Sequence, residues 1–276
     1  MKRLIRIGSI TAALAGTAAL PVLALGPTAD AHPALQAQKP TVVLVHGAWA
    51  DAAGWTPVAE RLEKDGYTVK APPNPLRGLT YDADYINSVL KQIKGPIILV
   101  GHSYGGAVIT NAVKGDPDIK ALVYIAAFAP DTGDSLATLN AKPVAHPIPP
   151  VPALPSTYPK QDGTEGTELT IAPAQYSHVF LNDEVNKFTA DALATEQRPL
   201  SVESANQTSG APAWKSVKSY YMVAKQDHAI APDLERFMAA RAHATTVQVN
   251  GPHLIMYTNP APVTHLIEDA AHDTVH

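Results

Sequence analysis

Short apolar segments alternate with segments of helical periodicity along most of the chain, and this alternation restricts the fold more than any other feature. The segment Thr41–Val45 is a continuous apolar run, which is typical of a strand buried on both faces. Alternation of this kind predicts an α/β fold with a mostly parallel sheet and helices on both faces. The predicted strands after the first lie at 68–71, 97–100, 119–125, 220–223 and 245–249, and the predicted helices at 57–65, 82–94, 105–114, 232–242 and 260–271.

One stretch, at about 131–212, interrupts this alternation. It has seven prolines from Pro143 to Pro159, followed by two helical segments at 173–181 and 183–195. A bare loop of about eighty residues would be unusual in a compact domain. We therefore expect a cap inserted over the edge of the sheet, with a disordered linker as the alternative. The apolar residues that give the stretch a packing face are Tyr176, Val179, Phe180, Leu181, Phe188 and Leu193.

The first thirty residues are expected to lie outside the fold. Three basic residues precede an apolar stretch at 7–25, and an Ala-Asp-Ala segment follows at 29–31. This pattern is typical of a secretory signal peptide, here 1–31, cleaved after Ala31. The interpretation predicts a flexible arm at 32–40, a folded domain at 41–276, and a secreted or periplasmic protein. An uncleaved membrane anchor is the alternative, but glycines and a proline interrupt the apolar stretch.

Composition argues against several classes of function. The chain has 21 Lys and Arg against 25 Asp and Glu, a formal net charge of −4. A nucleic-acid partner is not expected, because phosphate binding needs a basic face. Cysteine is absent, which rules out disulfides, thiolate metal ligands and cysteine nucleophiles. No pair of histidines has the spacing of a zinc site, so no metal is expected.

The clearest chemical motif lies between the third predicted strand and the helix that follows it. Residues 101–105 read Gly-His-Ser-Tyr-Gly, which fits G-x-S-x-G. In this motif a tight turn from strand to helix exposes the serine side chain. The helix N-terminus also favours negative charge that develops beside it. We predict that Ser103 is a nucleophile; a glycine-rich turn without chemistry is the alternative.

A serine hydroxyl needs a base, and the base needs a carboxylate that orients it. Two later strands end in candidates for these roles. Asp227 follows the strand at 220–223, and His253 follows the strand at 245–249. Parallel strands bring their carboxyl ends to one edge of the sheet, so we predict that His253 is the base and Asp227 the acid. Asp131, which follows an earlier strand, is the rival for the acid.

A second motif, Val-His-Gly-Ala-Trp at 45–49, follows the first strand. This is where the second part of an oxyanion hole is expected. We predict that the backbone N–H groups of Ala48 and Tyr104 are the two donors. His46 is expected to brace the loop by hydrogen bonding.

The substrate pocket is predicted to draw on the cap and on both motif loops. The apolar rings of Phe180 and Phe188 are candidates because a long acyl chain must be buried against apolar groups. The alternative is that these rings only hold the cap together. The full set of candidate pocket residues is Trp49, His178, Phe180, Phe188 and Leu254.

Taken together, the motifs resemble those of the α/β-hydrolase superfamily. The segments H-G-A-W, G-H-S-Y-G-G, A-K-Q-D and G-P-H are similar to the branch that contains bacterial EstC-like carboxylesterases, plant methylesterases and hydroxynitrile lyases. The resemblance extends over 41–271 and implies an α/β-hydrolase fold with six or more strands and a cap. It also implies hydrolysis of small-molecule carboxylic esters without a cofactor. It places Ser103, Asp227 and His253 on the family triad, and Ala48 and Tyr104 on the oxyanion donors.

Two positions separate this chain from the lyases of that branch. Those lyases typically have a threonine in the oxyanion loop and a lysine directly after the catalytic histidine, whereas this chain has Gly47 and Leu254. The resemblance therefore favours a serine carboxylesterase that forms an acyl-enzyme, and the predicted signal peptide indicates that it is exported. The alternatives are a lyase or an amidase on the same triad, and a non-catalytic ligand receptor on a hydrolase fold. The sequence pattern does not specify the oligomeric state.

Overall fold

The computed structural model describes residues 39–275. The strands are β1 (Thr41–Val45), β2 (Thr68–Lys70), β3 (Ile97–Ser103), β4 (Ile119–Ala127), β5 (Ala153–Pro159), β6 (Glu165–Ile171), β7 (Leu200–Ser201), β8 (Lys218–Ala224) and β9 (Thr245–Val249). The helices are α1 (Thr56–Lys64), α2 (Leu79–Leu90), α3 (Tyr104–Ala112), α4 (Leu136–Asn140), α5 (Pro173–Leu181), α6 (Lys187–Thr195), α7 (Val202–Asn206), α8 (Pro232–Arg241), α9 (Ile255–Thr258) and α10 (Pro260–Thr274). Single turns of 3₁₀ helix lie at Ala52–Trp55 and Ala213–Lys215.

The central sheet has six parallel strands in the order β2-β1-β3-β4-β8-β9. Because successive side chains of a strand point to opposite faces, β1 contributes to two apolar cores. Val43 and Val45 belong to one core, and Val42 and Leu44 belong to the other. All four side chains are fully buried, as expected for a strand covered on both faces. The predicted α/β fold with a mostly parallel sheet is confirmed.

Most predicted elements lie within a few residues of the observed ones, and the differences have local causes. Strand β3 continues to Ser103, three residues beyond the predicted end at 100, because the motif glycine and histidine still pair with β4. Helix α6 starts at Lys187 and not at 183. Asn182 and Asp183 have left-handed backbone angles (φ 49° and 59°), and the Asn186 side chain caps the helix.

The segment between β4 and β8 contains a second sheet that the sequence did not predict. Its antiparallel strands have the order β5-β6-β7. Two prolines, Pro155 and Pro159, lie in β5 and cannot donate backbone hydrogen bonds. β5 tolerates them because it is an edge strand, paired on one side only.

The predicted signal peptide at 1–31 and most of the predicted arm lie outside the described residues. The last two arm residues are described. Pro40 is buried, and the Lys39 ammonium donates a hydrogen bond of 2.5 Å to the Asp65 carbonyl. Within residues 39–275, no helix combines the length and apolarity needed to cross a membrane.

Candidate active site

Ser103 lies at the sharp turn between β3 and α3. Its backbone has φ 53° and ψ −126°, a strained conformation for a residue with a side chain. The first turn of α3 packs directly against the end of β1, which leaves little room in the turn. A Cβ added at Gly105 would lie 2.4 Å from the Val45 carbonyl oxygen, so only glycine fits there. The strained turn holds the Ser103 side chain at the carboxyl edge of the sheet, as the motif predicts.

His253 and Asp227 lie in the loops that follow β9 and β8, and the structure brings them together. The Nδ1 atom of His253 donates a hydrogen bond of 2.5 Å to Oδ2 of Asp227. The other carboxylate oxygen, Oδ1, accepts hydrogen bonds from the backbone N–H groups of Ala229 (2.6 Å) and Ile230 (2.8 Å). Both side chains are almost completely buried. This arrangement fixes the imidazole with its proton on Nδ1 and leaves Nε2 able to accept a proton.

Ser103 and His253 line the same cavity, which has a volume of about 580 Å³. Among the described residues, no hydrogen bond joins the Ser103 hydroxyl to the His253 ring. Hydrogen bonds between a nucleophile and its base are often long without substrate and tighten in the complex. The arrangement therefore brings the predicted nucleophile and the predicted base to one cavity, with the predicted acid behind the base.

The two predicted oxyanion donors flank this cavity. Tyr104 is the first residue of α3, so its N–H has no partner within the helix. Ala48 lines the cavity from the loop after β1. The next N–H along that loop, on Trp49, is already bonded to the Arg198 carbonyl (3.1 Å). Ala48 is therefore the residue of this loop best placed to donate toward the site.

The loop that carries Ala48 passes very close to the serine. A Cβ added at Gly47 would lie 2.5 Å from the Cβ of Ser103. His46 fixes this loop through its ring. Its Nδ1 donates to the Gly47 carbonyl (2.8 Å), and its Nε2 accepts from the Asn74 N–H (2.9 Å). Burial lowers the pKa of His46 to about 4, so the ring is neutral at pH 7, as an accepting Nε2 requires.

The side chain of Tyr104 anchors the start of α3 to a neighbouring helix. Its hydroxyl donates a hydrogen bond of 2.7 Å to Oδ2 of Asp82 on α2. Asp82 is fully buried, and burial is the main cause that raises its pKa. This contact holds the helix end that presents the Tyr104 N–H, and sequence reasoning did not identify it.

His102 has a supporting position that the sequence did not reveal. It is fully buried, and burial lowers the pKa of its ring well below the usual value. Its Nε2 lies 3.0 Å from the backbone carbonyl of His253, and the two rings are 4.6 Å apart. His102 thus supports the loop of His253, whereas the motif alone indicates no role for it beyond its place next to Ser103.

Glu235 on α8 lies behind the acid and was also missed. Its side chain is fully buried, and its Oε2 accepts a hydrogen bond from the Ala224 N–H (3.2 Å). Burial, and then the neighbouring Asp227 carboxylate, raise the pKa of Glu235 well above its usual value of 4.5. Folding therefore favours the protonated form of Glu235. A glutamate on a surface helix gives no sequence signal for such a place.

The raised pKa of Glu235 predicts how its replacement changes stability with pH. Because folding raises the pKa of this group, the folded chain holds the proton to a higher pH than the unfolded chain does. The free energy of unfolding that the group contributes therefore falls as pH rises above 4.5. Glu235→Gln keeps the acceptor for Ala224 and removes this pH dependence. The difference in Tm between the variant and the parent should therefore move in favour of the variant as pH rises above 4.5. A difference in Tm that does not change with pH would show that folding does not raise the pKa of Glu235.

Two of the predicted pocket residues pack behind the site and do not line the cavity. Phe180 is fully buried, with its ring edge-on to His253 at 5.1 Å and stacked on Tyr176 at 4.8 Å. Leu254 is also buried, and its N–H donates to the Phe180 carbonyl (2.9 Å). Their prediction as pocket residues is corrected: both side chains face the core beneath His253. Trp49, by contrast, lines the cavity.

The other two predicted pocket residues lie on the surface of the cap. Phe188 is 86% exposed, and the His178 side chain is 62% exposed, with its ring 3.5 Å from Asp183. Neither lines the cavity that holds Ser103, so their prediction as pocket residues is corrected as well. The reason is that α5 and α6 turn other side chains inward, and the sequence does not show which apolar residue of a cap helix meets the sheet.

Asp131, the rival acid, lies apart from the histidine. It forms an ion pair of 2.7 Å with Lys215, and its hydrogen bond to that ammonium is the main cause that lowers its pKa. Asp131 does not line the cavity.

A strained serine after β3, and a buried histidine–aspartate pair after β9 and β8, define a hydrolase of the α/β class. The chain matches the family described as "Alpha/beta hydrolase family" over residues 42–266, and it belongs to that family. The predicted resemblance is therefore confirmed.

Two proteins with similar sequences are named esterases. The carbendazim hydrolyzing esterase of Nocardioides sp. (strain SG-4G) is 38% identical over 113 residues, which span 36% of this chain and 47% of that protein. Methylesterase 2 of Arabidopsis thaliana is 26% identical over 255 residues, which span 81% of this chain and 92% of that protein. The second likeness supports the methylesterase branch.

Among solved structures, polyneuridine aldehyde esterase superimposes with a TM-score of 0.71. The match covers 84% of this chain and 99% of that one at 22% identity. At this identity the likeness shows the fold, which agrees with the sheet and the turn described above.

Proposed function

We propose that this chain is a carboxylic ester hydrolase that works through an acyl-enzyme on Ser103, with His253 as base and Asp227 as acid. The observation that carries the proposal is the buried hydrogen bond to Asp227 from His253, which lines the same cavity as a strained serine. The names of two relatives support the esterase class: the Nocardioides protein is called an esterase, and the Arabidopsis protein a methylesterase.

In this mechanism each group has one task. The Ser103 oxygen attacks the ester carbonyl carbon while Nε2 of His253 takes the hydroxyl proton. Asp227 stabilises the imidazolium that forms, and the N–H groups of Ala48 and Tyr104 bind the oxyanion. His253 then gives its proton to the leaving alcohol. Water attacks the acyl-enzyme by the same route, releases the carboxylic acid and restores Ser103.

The cavity indicates which esters fit. Its wall is mainly apolar, with side chains such as Phe128, Ile148 and Leu234. Among the described residues that line it, Lys142 carries the charged side chain. The other titratable ones are His253 and Tyr104, and the Tyr104 hydroxyl is bonded to Asp82. A volume of about 580 Å³ lies within the range of sites that bind drug-sized molecules. An uncharged ester with a sizeable apolar group is therefore the proposed substrate.

The lyase alternative has less support at this site. The residue after the histidine is Leu254, which is buried and does not line the cavity. Lys142 lines the cavity and could in principle stabilise a leaving cyanide, but its ammonium lies over the Phe237 ring, 4.6 Å from the ring centroid. A separated cyanide would thus lack the neighbouring cation that the lyases of this branch typically have.

A substrate panel tests the proposal. It contains p-nitrophenyl esters from acetate to palmitate, the p-nitroanilide of one acyl group and a cyanohydrin. We expect turnover of the esters, with kcat/KM for the anilide and the cyanohydrin far below that for the matched ester. Cleavage of the cyanohydrin in preference to every ester would contradict the proposal in favour of a lyase. Binding without turnover would contradict it in favour of a receptor.

We also propose that the protein is exported to the periplasm or secreted. The support is the sequence of residues 1–31, with its basic start, apolar stretch and Ala-Asp-Ala segment. Mass spectrometry of the protein recovered from the periplasm and from the medium tests the proposed export and cleavage. A mature chain that begins at His32 is the expected result, and a full-length chain confined to the cytoplasm would contradict it.

A further inference from the structure

One wall of the cavity is formed by residues 143–151, which we call the strap. It follows α4 and has no helix or strand. Seven of its nine residues line the cavity, and most of them are also exposed to solvent. The strap is therefore a single layer of polypeptide that separates the cavity from the solvent. The lining residues of the strap are Pro143, Val144, Pro147, Ile148, Pro149, Pro150 and Val151.

The composition of the strap gives it a fixed shape without internal hydrogen bonds. Four of its nine residues are proline, each of which fixes φ near −65° and has no N–H to donate. The strap residues that line the cavity are all proline, valine or isoleucine. The polar residue of the strap, His146, does not line it. Such a wall can contact an apolar group of the substrate, but it offers no side chain that would bind a charged one.

The strap is attached to the rest of the fold at one polar point. The N–H and the ring Nδ1 of His146 both lie 2.9 Å from Oδ2 of Asp233, in the first turn of α8. Among the described residues, these are the hydrogen bonds that join residues 143–150 to other parts of the chain. Asp233 is held in turn by Arg236 (2.7 Å), and the His146 hydrogen bonds keep the pKa of Asp233 below its usual value.

We propose that the strap is the specificity-determining wall of this site, in which Val144 and Ile148 contact the larger apolar group of an uncharged ester. The pair His146 and Asp233 sets the distance of this wall from Ser103. The inference rests on the proposed ester hydrolysis. It replaces the cap rings Phe180 and Phe188, which do not line the cavity, as the apolar surface that selects the substrate.

The first test compares two esters in variants of the strap. Ile148→Ala should lower kcat/KM for p-nitrophenyl octanoate more than for the acetate, changing the octanoate-to-acetate ratio by about 10-fold or more. The reason is that a long chain must be buried against the strap, whereas an acetyl group is too short to use it. Val144→Ala should change the ratio in the same direction. Tm is measured for each variant, so that a loss of folding is seen separately.

The matched control is Phe188→Ala, which removes an exposed cap ring outside the cavity. It should leave the ratio within about twofold of the parent. The inference is overturned if both strap variants still hydrolyse esters but keep an octanoate-to-acetate ratio within about twofold of the parent. It is also overturned if kcat/KM falls equally for both esters and in step with Tm, because the strap would then have only a structural role.

The second test releases the attachment. His146→Ala and Asp233→Ala should each raise KM for the octanoate more than for the acetate, because the wall is no longer held at a fixed distance. His265→Ala, an exposed histidine of α10, is the control and should leave both KM values unchanged. If the two attachment variants behave like the control, His146 and Asp233 do not position the strap. If the parent protein hydrolyses neither ester, the proposed function itself fails, which is a different outcome from an unchanged ratio.

Discussion

Replacing Ser103 with alanine should lower kcat for ester hydrolysis by about 10⁴–10⁶-fold and leave the fold intact. The oxygen that would form the acyl-enzyme is lost, and the histidine and aspartate have no other nucleophile to activate. Alanine keeps the Cβ that the strained turn already accommodates, so the backbone at φ 53° gains no new strain. A far-UV circular dichroism spectrum and a Tm close to those of the parent would confirm that only the chemistry changed.

A covalent probe gives this prediction a second, independent readout. A fluorophosphonate should label the parent protein at Ser103 alone and should not label the alanine variant. Ser219→Ala is a suitable control, because Ser219 is a buried serine on β8 that does not line the cavity. Labelling of another serine, or substantial turnover by Ser103→Ala, would mean that the nucleophile lies elsewhere.

The sheet could be predicted because each central strand is buried on both faces. A strand such as β1 has no solvent side, so its sequence is a continuous apolar run that stands out from the amphipathic helices around it. The positions of Ser103, Asp227 and His253 followed from the sheet, since each lies at the end of a parallel strand or in the loop that follows one. Strand direction alone therefore brings these three residues to one edge.

The pocket could not be predicted in the same way. An apolar residue on a cap helix faces some apolar surface, but the sequence does not say which one, and Phe188 is 86% exposed. The strap could not be recognised as a cavity wall either. Its prolines indicate a stiff segment, but they do not indicate which side of that segment faces the substrate. The hairpin of β5 and β6 was missed because Pro155 and Pro159 argue against a strand unless it lies at an edge.

Helix α8 connects three parts of the site through consecutive residues. Asp233 holds the strap, Leu234 lines the cavity, and Glu235 is buried beside Asp227. Successive residues of a helix point about 100° apart, so one turn can reach solvent, substrate and core at once. A shift of this helix would therefore change the substrate wall and the surroundings of the acid together.

Asp227→Asn should lower kcat by about 10³–10⁴-fold, and the hydrogen bonds around the carboxylate explain why. Oδ1 accepts from two backbone N–H groups, those of Ala229 and Ile230. An asparagine would place its carbonyl oxygen there, because its NH₂ group cannot accept those hydrogen bonds. The NH₂ group would then face Nδ1 of His253 and favour the tautomer with the proton on Nε2, which cannot take the proton of Ser103.

Asp131→Asn is the matched control for this substitution, because it makes the same chemical change at the rival position. Asp131 is paired with Lys215 away from the cavity, so its replacement should change kcat by less than about twofold. The steady-state kinetics of both variants on one short-chain ester decide between the two positions. A large loss for Asp131→Asn with little loss for Asp227→Asn would assign the acid to the loop after β4. Equal and small losses would mean that His253 keeps its working tautomer without a carboxylate, which the 2.5 Å hydrogen bond to Asp227 argues against.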